Sequence, residues 1–427
     1  MFASAAVASP TFTRDVAPIF YQKCAGCHRP GELAPMSLLE YKTARPWAKA
    51  IRASVLTRKM PPWFADPRYG EFLNDARLTE QEIGAVRAWV DAGAPEGNPL
   101  DLPTPPSFME GWRYGKPDVV IDIGQDFPVP AGKDIYKYFI VPTNFTEGKW
   151  IRAAQLLPGN RKLVHHAHLS IISEESATLT DATTAQAKKL AGFAEIEDGL
   201  TRVRMDAPVI NDACDGNGGL PNLAGFEEGS LATMLPGKPP DVYDVFGDNS
   251  IAKYIPAGAK LRFEIHYAKV AHAGTDRTSV GLYLSPKPPL KPLKRVDLRN
   301  RFFLIPAGAA SQEVKRCYDV EQDKLLVAIT PHMHFRGKDA TYELQHADGR
   351  RETLLAVPHY SFDWQMQYRF KAPVFMEKGS RMVVTFHYDN SINNPANPDP
   401  GKAIRWGDRS EDEMMATWTE TLDGSHR

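Results

Sequence analysis

Cys24 and Cys27 stand three positions apart, and His28 follows at once, in the stretch KCAGCHRPGELAPM at residues 23–36. Cys-x-x-Cys-His is the attachment pattern of a c-type haem. The two thiols form thioethers with the haem vinyl groups, and that linkage places the imidazole to ligate the iron. A zinc half-site would need a second Cys-x-x-Cys pair, and the sequence has none. The sixth iron position requires a thioether or an imidazole. Met60, braced by Pro61, Pro62 and Trp63, is placed to supply it, whereas Met36 follows the motif too closely to swing round easily.

Further along, histidines gather in three short apolar stretches. These are LVHHAHLSI with His165, His166 and His168, FEIHYAKV with His266, and ITPHMHFRG with His332 and His334. Residues two apart in a strand point to one side, so His332 and His334 can grip one ion while Met333 faces away. By the same rule His166 and His168 are the simpler pair in the first stretch, because His165 and His166 point to opposite faces of a regular strand. His272, His346, His359, His387 and His426 are isolated and read as ordinary core or surface residues. Imidazole suits zinc and copper alike, whereas a thioether favours Cu(I). RSEDEMMATW supplies two thioethers, Met414 and Met415.

The elements that must carry these residues fall into two textures. Residues 1–97 read as helical: FTRDVAPIFYQKCAGCH leads into the haem motif, and LTEQEIGAVRAWVDAGAPEG opens on a Thr79/Glu82 capping box, buries Ile83, Val86, Trp89 and Val90 at helical spacing, and stops at Gly93 and Pro95. RKMPPWFADP between them is a proline-locked loop. This is the plan of a small all-α cytochrome c domain. Residues 98–116, rich in proline and polar side chains, read as a linker. Beyond it come short alternating runs such as IYKYFIVP, KLRFEIHYAKV and RMVVTFHYDN, which predict two all-β sandwiches over 117–290 and 291–427. VPAG at 129–132 and IPAG at 255–258 and 305–308, each ahead of a predicted strand, form a weak internal repeat.

Composition limits the function classes. The chain has 427 residues, 51 basic against 52 acidic and a net charge of −1, so neither nucleic acid nor an anionic membrane is courted. No apolar run approaches the ~20 residues of a membrane span. The opening MFASAAVASP reads either as the remnant of a trimmed export signal or as a plain N-terminus. Cys214 and Cys317 remain beside the haem pair; an oxidising compartment would let them join, but spacing alone does not show that they meet.

Taken in order, VHHAHL, EIHYAK, PHMHFRG and EDEMM resemble the copper type II ascorbate-dependent monooxygenases, the family of the peptidylglycine alpha-hydroxylating and dopamine beta-monooxygenases. The resemblance spans residues 112–427. It implies two jelly-roll-like sandwiches facing each other across a solvent-filled cleft. The N-terminal one would hold an electron-transfer copper through His165, His166 and His266. The C-terminal one would hold an oxygen-activating copper through His332, His334 and Met414. Two positions depart from the peptide-hydroxylating members: Thr330 replaces an arginine that holds the peptide carboxylate, and Trp418 replaces a tyrosine. Both point to a less charged ligand than a peptide terminus, and most of that family's disulfide cysteines are missing.

Hydroxylating a C–H bond with O2 takes electrons beyond those of the substrate, and a haem delivers them singly. The expectation is therefore a periplasmic or secreted bacterial monooxygenase with one covalent haem c and two coppers. It would act on a small organic substrate and draw on an upstream one-electron donor. Two rivals are a cytochrome-fused multicopper oxidase or reductase, which needs a cysteine ligand close to histidine, and an electron-transfer or binding protein with structural metal sites.

Overall fold

Thr79 and Glu82 do what their spacing predicts. The Thr79 hydroxyl accepts from the Glu82 N–H at 3.2 Å, and the Glu82 carboxylate accepts from the Thr79 N–H at 2.6 Å. The computed structural model describes all residues except 1–8, 33, 109–110, 134, 173–192, 198–199, 215–228, 236–237, 239, 245–248, 268 and 425–427. Most of the small-residue opening and His426 thus lie outside the described residues. Two units emerge. One is built from residues up to Trp63 and from Asp75–Arg113, the other from Phe64–Asn74, Tyr114–Leu235 and Pro240–Arg427.

The first unit is helical. α1 (Ala17–Lys23) continues from a capped turn at Phe12–Val16 and ends at Cys24. α2 (Ala48–Leu56) is entered through Tyr41–Ala44 and a tighter turn at Arg45–Trp47. α3 (Glu80–Asp91) follows the capping box and buries Ile83, Val86 and Trp89. Trp89 sits 6.1 Å from the Phe12 ring and 6.3 Å from Phe20, and its indole N–H donates to the Pro95 carbonyl at 2.9 Å. The helical stretch from 41 to 56 was not foreseen, because Pro46 and four basic side chains interrupt its apolar pattern.

Two predicted boundaries need correction. Residues 98–113 are not a free linker but part of the first unit: Arg29 stacks 4.1 Å over the Phe108 ring, and Arg113 pairs with Glu32. Residues 64–74, expected inside the helical domain, belong to the second unit, where Leu73 N–H donates to Arg369 O at 2.8 Å and Phe72 bridges Phe370.

The second unit is two β-sandwiches. The first uses β1 (Val119–Asp122), β2 (Ile135–Pro142), β3 (Lys149–Leu157), β4 (Val164–Ile172), β5 (Gly229–Met234), β6 (Ile251–Ile255), β7 (Lys260–Tyr267) and β8 (Ser279–Leu284). Its main sheets run β1-β8-β3-β6 and β2-β7-β4-β5. Ile151, Leu156, Leu169, Leu261, Phe263 and Ile265 fill the space between them at 4 % exposure or less, as period-two alternation requires.

The second sandwich uses β9 (Lys294–Asn300), β10 (Gln312–Asp319), β11 (Lys324–His332), β12 (Gly337–Gln345), β13 (Arg351–Val357), β14 (Tyr368–Met376), β15 (Arg381–Tyr388) and β16 (Met415–Asp423). Its sheets run β9-β16-β11-β14 and β13-β12-β15-β10. The repeated Pro-Ala-Gly turns appear where expected: Gly132, Gly258 and Gly308 take φ of 75°, 69° and 70°, each just before a strand.

The chain crosses between sandwiches near Leu293, and the halves are not cleanly separated. Asp212–Ala213 pairs in parallel with β10, and Val203 N–H donates to Trp406 O at 2.8 Å. The Arg405 guanidinium reaches the carbonyls of Met205, Ala207 and Pro208 at 3.1, 2.6 and 2.9 Å. Cys214 and Cys317 form a disulfide that links residues 103 apart. Among the described residues no helix is long and apolar enough to cross a membrane.

Replacing Thr79 with alanine removes the cap and should lower the stability of the helical unit by about 1 kcal/mol, read from chemical denaturation followed by circular dichroism. An unchanged midpoint would mean that α3 does not depend on its cap.

Candidate metal centres

Register fixes which side chains share a face. On the sheet β2-β7-β4-β5, Tyr136, His266 and His166 lie in one row, Tyr138, Glu264 and His168 in the next. On β9-β16-β11-β14, Asp297, Trp418 and Thr330 form one row, Arg299, Ala416 and His332 another. These two faces meet. The His168 ring stacks on Trp418 at 5.9 Å and 15°, Tyr136 and Ser410 join hydroxyls at 2.9 Å, and Lys253 pairs with Glu420 at 3.0 Å. At these points the sandwiches touch rather than stand apart across the open cleft that the resemblance implied.

The first cluster depends on an irregularity. β4 and β7 pair regularly up to His266 with His166, but Tyr267 then faces Val164, so His165 is the extra residue of a β-bulge. A bulge re-aims its side chain, and here it brings the neighbouring imidazoles to one place. Ring nitrogens of His165, His166 and His266 all lie within 4.8 Å of one another. His166 Nδ1 is 3.2 Å from His165 Nδ1 and 3.3 Å from His266 Nδ1. Tyr136 stacks flat on His266 at 4.2 Å and fixes its plane. His168, the simpler partner on strand periodicity, turns instead toward Thr233 and Trp418. Burial, reinforced by His266 and His165, holds His166 well below the ordinary imidazole range, so it stays neutral and able to donate a lone pair.

The second cluster sits at the end of β11. His332 and His334 hold their rings 5.3 Å apart at 88°. His332 Nδ1 lies 2.8 Å from the Gln365 side-chain oxygen, and His334 Nδ1 lies 3.3 Å from the Asp412 carbonyl. Since both acceptors are oxygens, each Nδ1 carries the proton and each Nε2 keeps its lone pair. Burial depresses the two imidazoles to about 4 and about 3.

Met414 stands half-buried just ahead of β16, and His332 ends β11 opposite Ala416. Met415 is fully buried in the core of the second sandwich, which separates the two methionines. Met333 is likewise fully buried, facing away as predicted. Between His334 and Met414 lies Glu413, fully buried, whose carboxylate accepts from the N–H groups of His334 (2.8 Å), Arg336 (2.6 Å) and Met414 (3.2 Å). Burial outweighs those three donors and pushes the carboxyl up to about 7. Gln365, Asp412 and Glu413 were missed from sequence, apart from the acidic run before Met414.

In the first unit Cys24 closes α1, and the N–H groups of Cys27 and His28 return to its carbonyl at 3.1 and 2.9 Å. Neither cysteine is in a disulfide, and burial pushes the thiol of Cys24 up to about 12. His28 Nδ1 lies 3.3 Å from the Met36 carbonyl, which leaves Nε2 as the outward nitrogen. Met36 packs on the helical core, and Met60 is partly exposed beyond α2.

No family model matches the chain, and no curated protein does. Among solved structures, PNGF-II aligns with 72 % of this chain at 9 % identity and a TM-score of 0.32, and the chain spans just under two thirds, 66 %, of that protein's length. The major capsid protein P2 of Bacteriophage PM2 aligns over 71 % of this chain and 97 % of its own, at 9 % identity and a TM-score of 0.29. Likeness at this level carries no argument about function.

Two outcomes follow from the site's electrostatics. Unfolded imidazoles titrate near ~6.5, so on acidification the unfolded chain binds protons at His166, His168, His332 and His334 that the folded chain refuses, while the folded chain keeps one extra proton on Glu413. The balance destabilises the metal-free fold as pH falls from ~6.5 toward ~4, so its melting temperature should drop over that range. A flat profile would contradict neutral buried imidazoles. Glu413→Ala leaves three buried N–H groups without their acceptor and should destabilise the second sandwich by about 1–3 kcal/mol or more, measured by urea unfolding.

Proposed function

We propose that the chain is a haem-fused dicopper monooxygenase that hydroxylates a C–H bond of a small organic substrate with O2. The observation that supports this reading is the gathering of His165, His166 and His266 at one point, with the His332/His334 pair on the facing sheet of the same unit. The first set is nitrogen-only, and the Met414 thioether would complete the second. When bound, copper would supply a one-electron couple at each site, so that two sites together hold the pair of electrons that hydroxylation draws from outside the substrate.

The protein's part is to orient ligands and exclude water. His165, His166 and His266 form the nitrogen-only set, suited to relaying single electrons. His332, His334 and Met414 would hold the other ion, for which a soft thioether would favour the reduced state. The acceptors on His332 and His334 lock each imidazole in the tautomer that a metal needs.

Cys24, Cys27 and His28 suit a covalent c-type haem in a small cytochrome-like unit, because the thiols are unbridged and His28 presents Nε2. Met36 lends its carbonyl to the His28 ring and so stands on that side of it. Met60 is therefore the proposed ligand for the opposite side. A disulfide and a c-type haem both belong to an oxidising compartment, which favours the periplasm or the exterior of a bacterium. Cys317, bridged to Cys214, is not free to ligate a blue copper, which weighs against the multicopper oxidase reading.

Metal analysis of the purified, metal-replete chain should find about two coppers per haem, counting the two ligand sets described above. Zinc in their place would point to a structural role. Met414→Ala should abolish substrate-dependent oxygen uptake yet leave haem reduction intact. Haem reoxidation by air and substrate that is indifferent to copper removal would overturn the relay.

A further inference from the structure

Trp418 occupies a place that neither ligand set explains. Its indole neighbours both the His168 ring, 5.9 Å away and nearly parallel at 15°, and the His332 ring, 5.1 Å away at 36°. His168 is joined to His166 through two peptide units of the same strand and lies on the same face. His332 is itself a member of the second cluster. A continuous row therefore runs from His166 through His168 and Trp418 to His332.

The indole is held by its neighbours rather than by its own polar atom. Its buried N–H finds no hydrogen-bond partner among the described residues. A tryptophan whose N–H is buried usually has that N–H satisfied. The Arg295 guanidinium stands 4.8 Å over the ring, locked by its ion pair with Asp297. A fixed cation at the ring face stabilises the neutral indole and disfavours its oxidised form.

We propose that Trp418 is the electron bridge between the two metal centres, working as a through-bond and through-stack path and not as a radical stop. The inference rests on the dicopper reading. With copper bound, one electron would pass from the site of His165, His166 and His266, oxidised by one unit, to the site of His332, His334 and Met414, reduced by one. The indole begins and ends neutral, and no proton moves. Its function is to fill the gap with stacked π-orbitals where water or an aliphatic side chain would couple the centres more weakly.

The test uses the full chain loaded with haem and copper. A light-generated one-electron donor reduces the haem without oxygen, and freeze-quench EPR follows the two Cu(II) signals separately. In Trp418→Leu the nitrogen-only site should be reduced at the parent rate while the thioether site lags by about tenfold or more, equivalent to ~1.4 kcal/mol in activation. Trp418→Phe, which keeps an aromatic ring and guards against a folding defect, should fall between the two. A thioether site that keeps pace in a fully copper-loaded Trp418→Leu overturns the bridge alone and points to a direct jump between the imidazole sets. A parent chain that binds no copper overturns the dicopper reading and the bridge together.

Discussion

Burial holds the imidazoles of His166, His168, His332 and His334 neutral, and the two facing sheets are built around that constraint. A protonated ring in such a place would carry a desolvated charge with no counter-ion, at a cost far beyond the net stability of a domain. Each ring therefore has a neutral acceptor, a stacked aromatic or another imidazole beside it. Gln365 and the Asp412 carbonyl serve His332 and His334, while Tyr136 and Trp418 serve the opposite sheet. Neutral rings with lone pairs aimed at one point are also what a soft metal ion requires. Protein stability and metal affinity thus ask the same thing of these residues.

Glu413 shows how closely the backbone is involved. A carboxylate without exposure, collecting the N–H groups of His334, Arg336 and Met414, ties the end of one strand to the start of another. Without it two chain segments would each carry unpaired donors. At the first cluster the backbone acts through an extra residue: an inserted His165 brings neighbouring imidazoles to one place.

Much of this was legible in the amino-acid order. Thr79 and Glu82 announce α3, alternating runs announce the strands, and His332 with His334 announces a shared face, because each signal is local and periodic. What escaped was set by partners distant in the chain. A bulge at His165 exists only relative to His266 and Tyr267, so strand periodicity alone favoured His168, and only the family pattern chose His165. The 41–56 helix hides behind Pro46, since that proline falls in a tight turn that the helix passes through. Residues 98–113 looked like a tether because proline and polar side chains read alike whether solvated or packed, as Phe108 is under Arg29. Proximity of Cys214 to Cys317 follows from Asp212–Ala213 lying along β10, which nothing in either cysteine's neighbourhood records.

That last arrangement bears on how the molecule can be dissected. Because 203–214 is woven into the half that follows it in sequence, a gene cut at residue 290 does not yield two self-contained products. The C-terminal fragment would emerge with a bare sheet margin along Lys315 and Arg316, an Arg405 stripped of its carbonyls, and a lone thiol ready to cross-link with its neighbours. Respecting the weave means keeping residues 114–427 together and with them the 64–74 segment that belongs to the same unit.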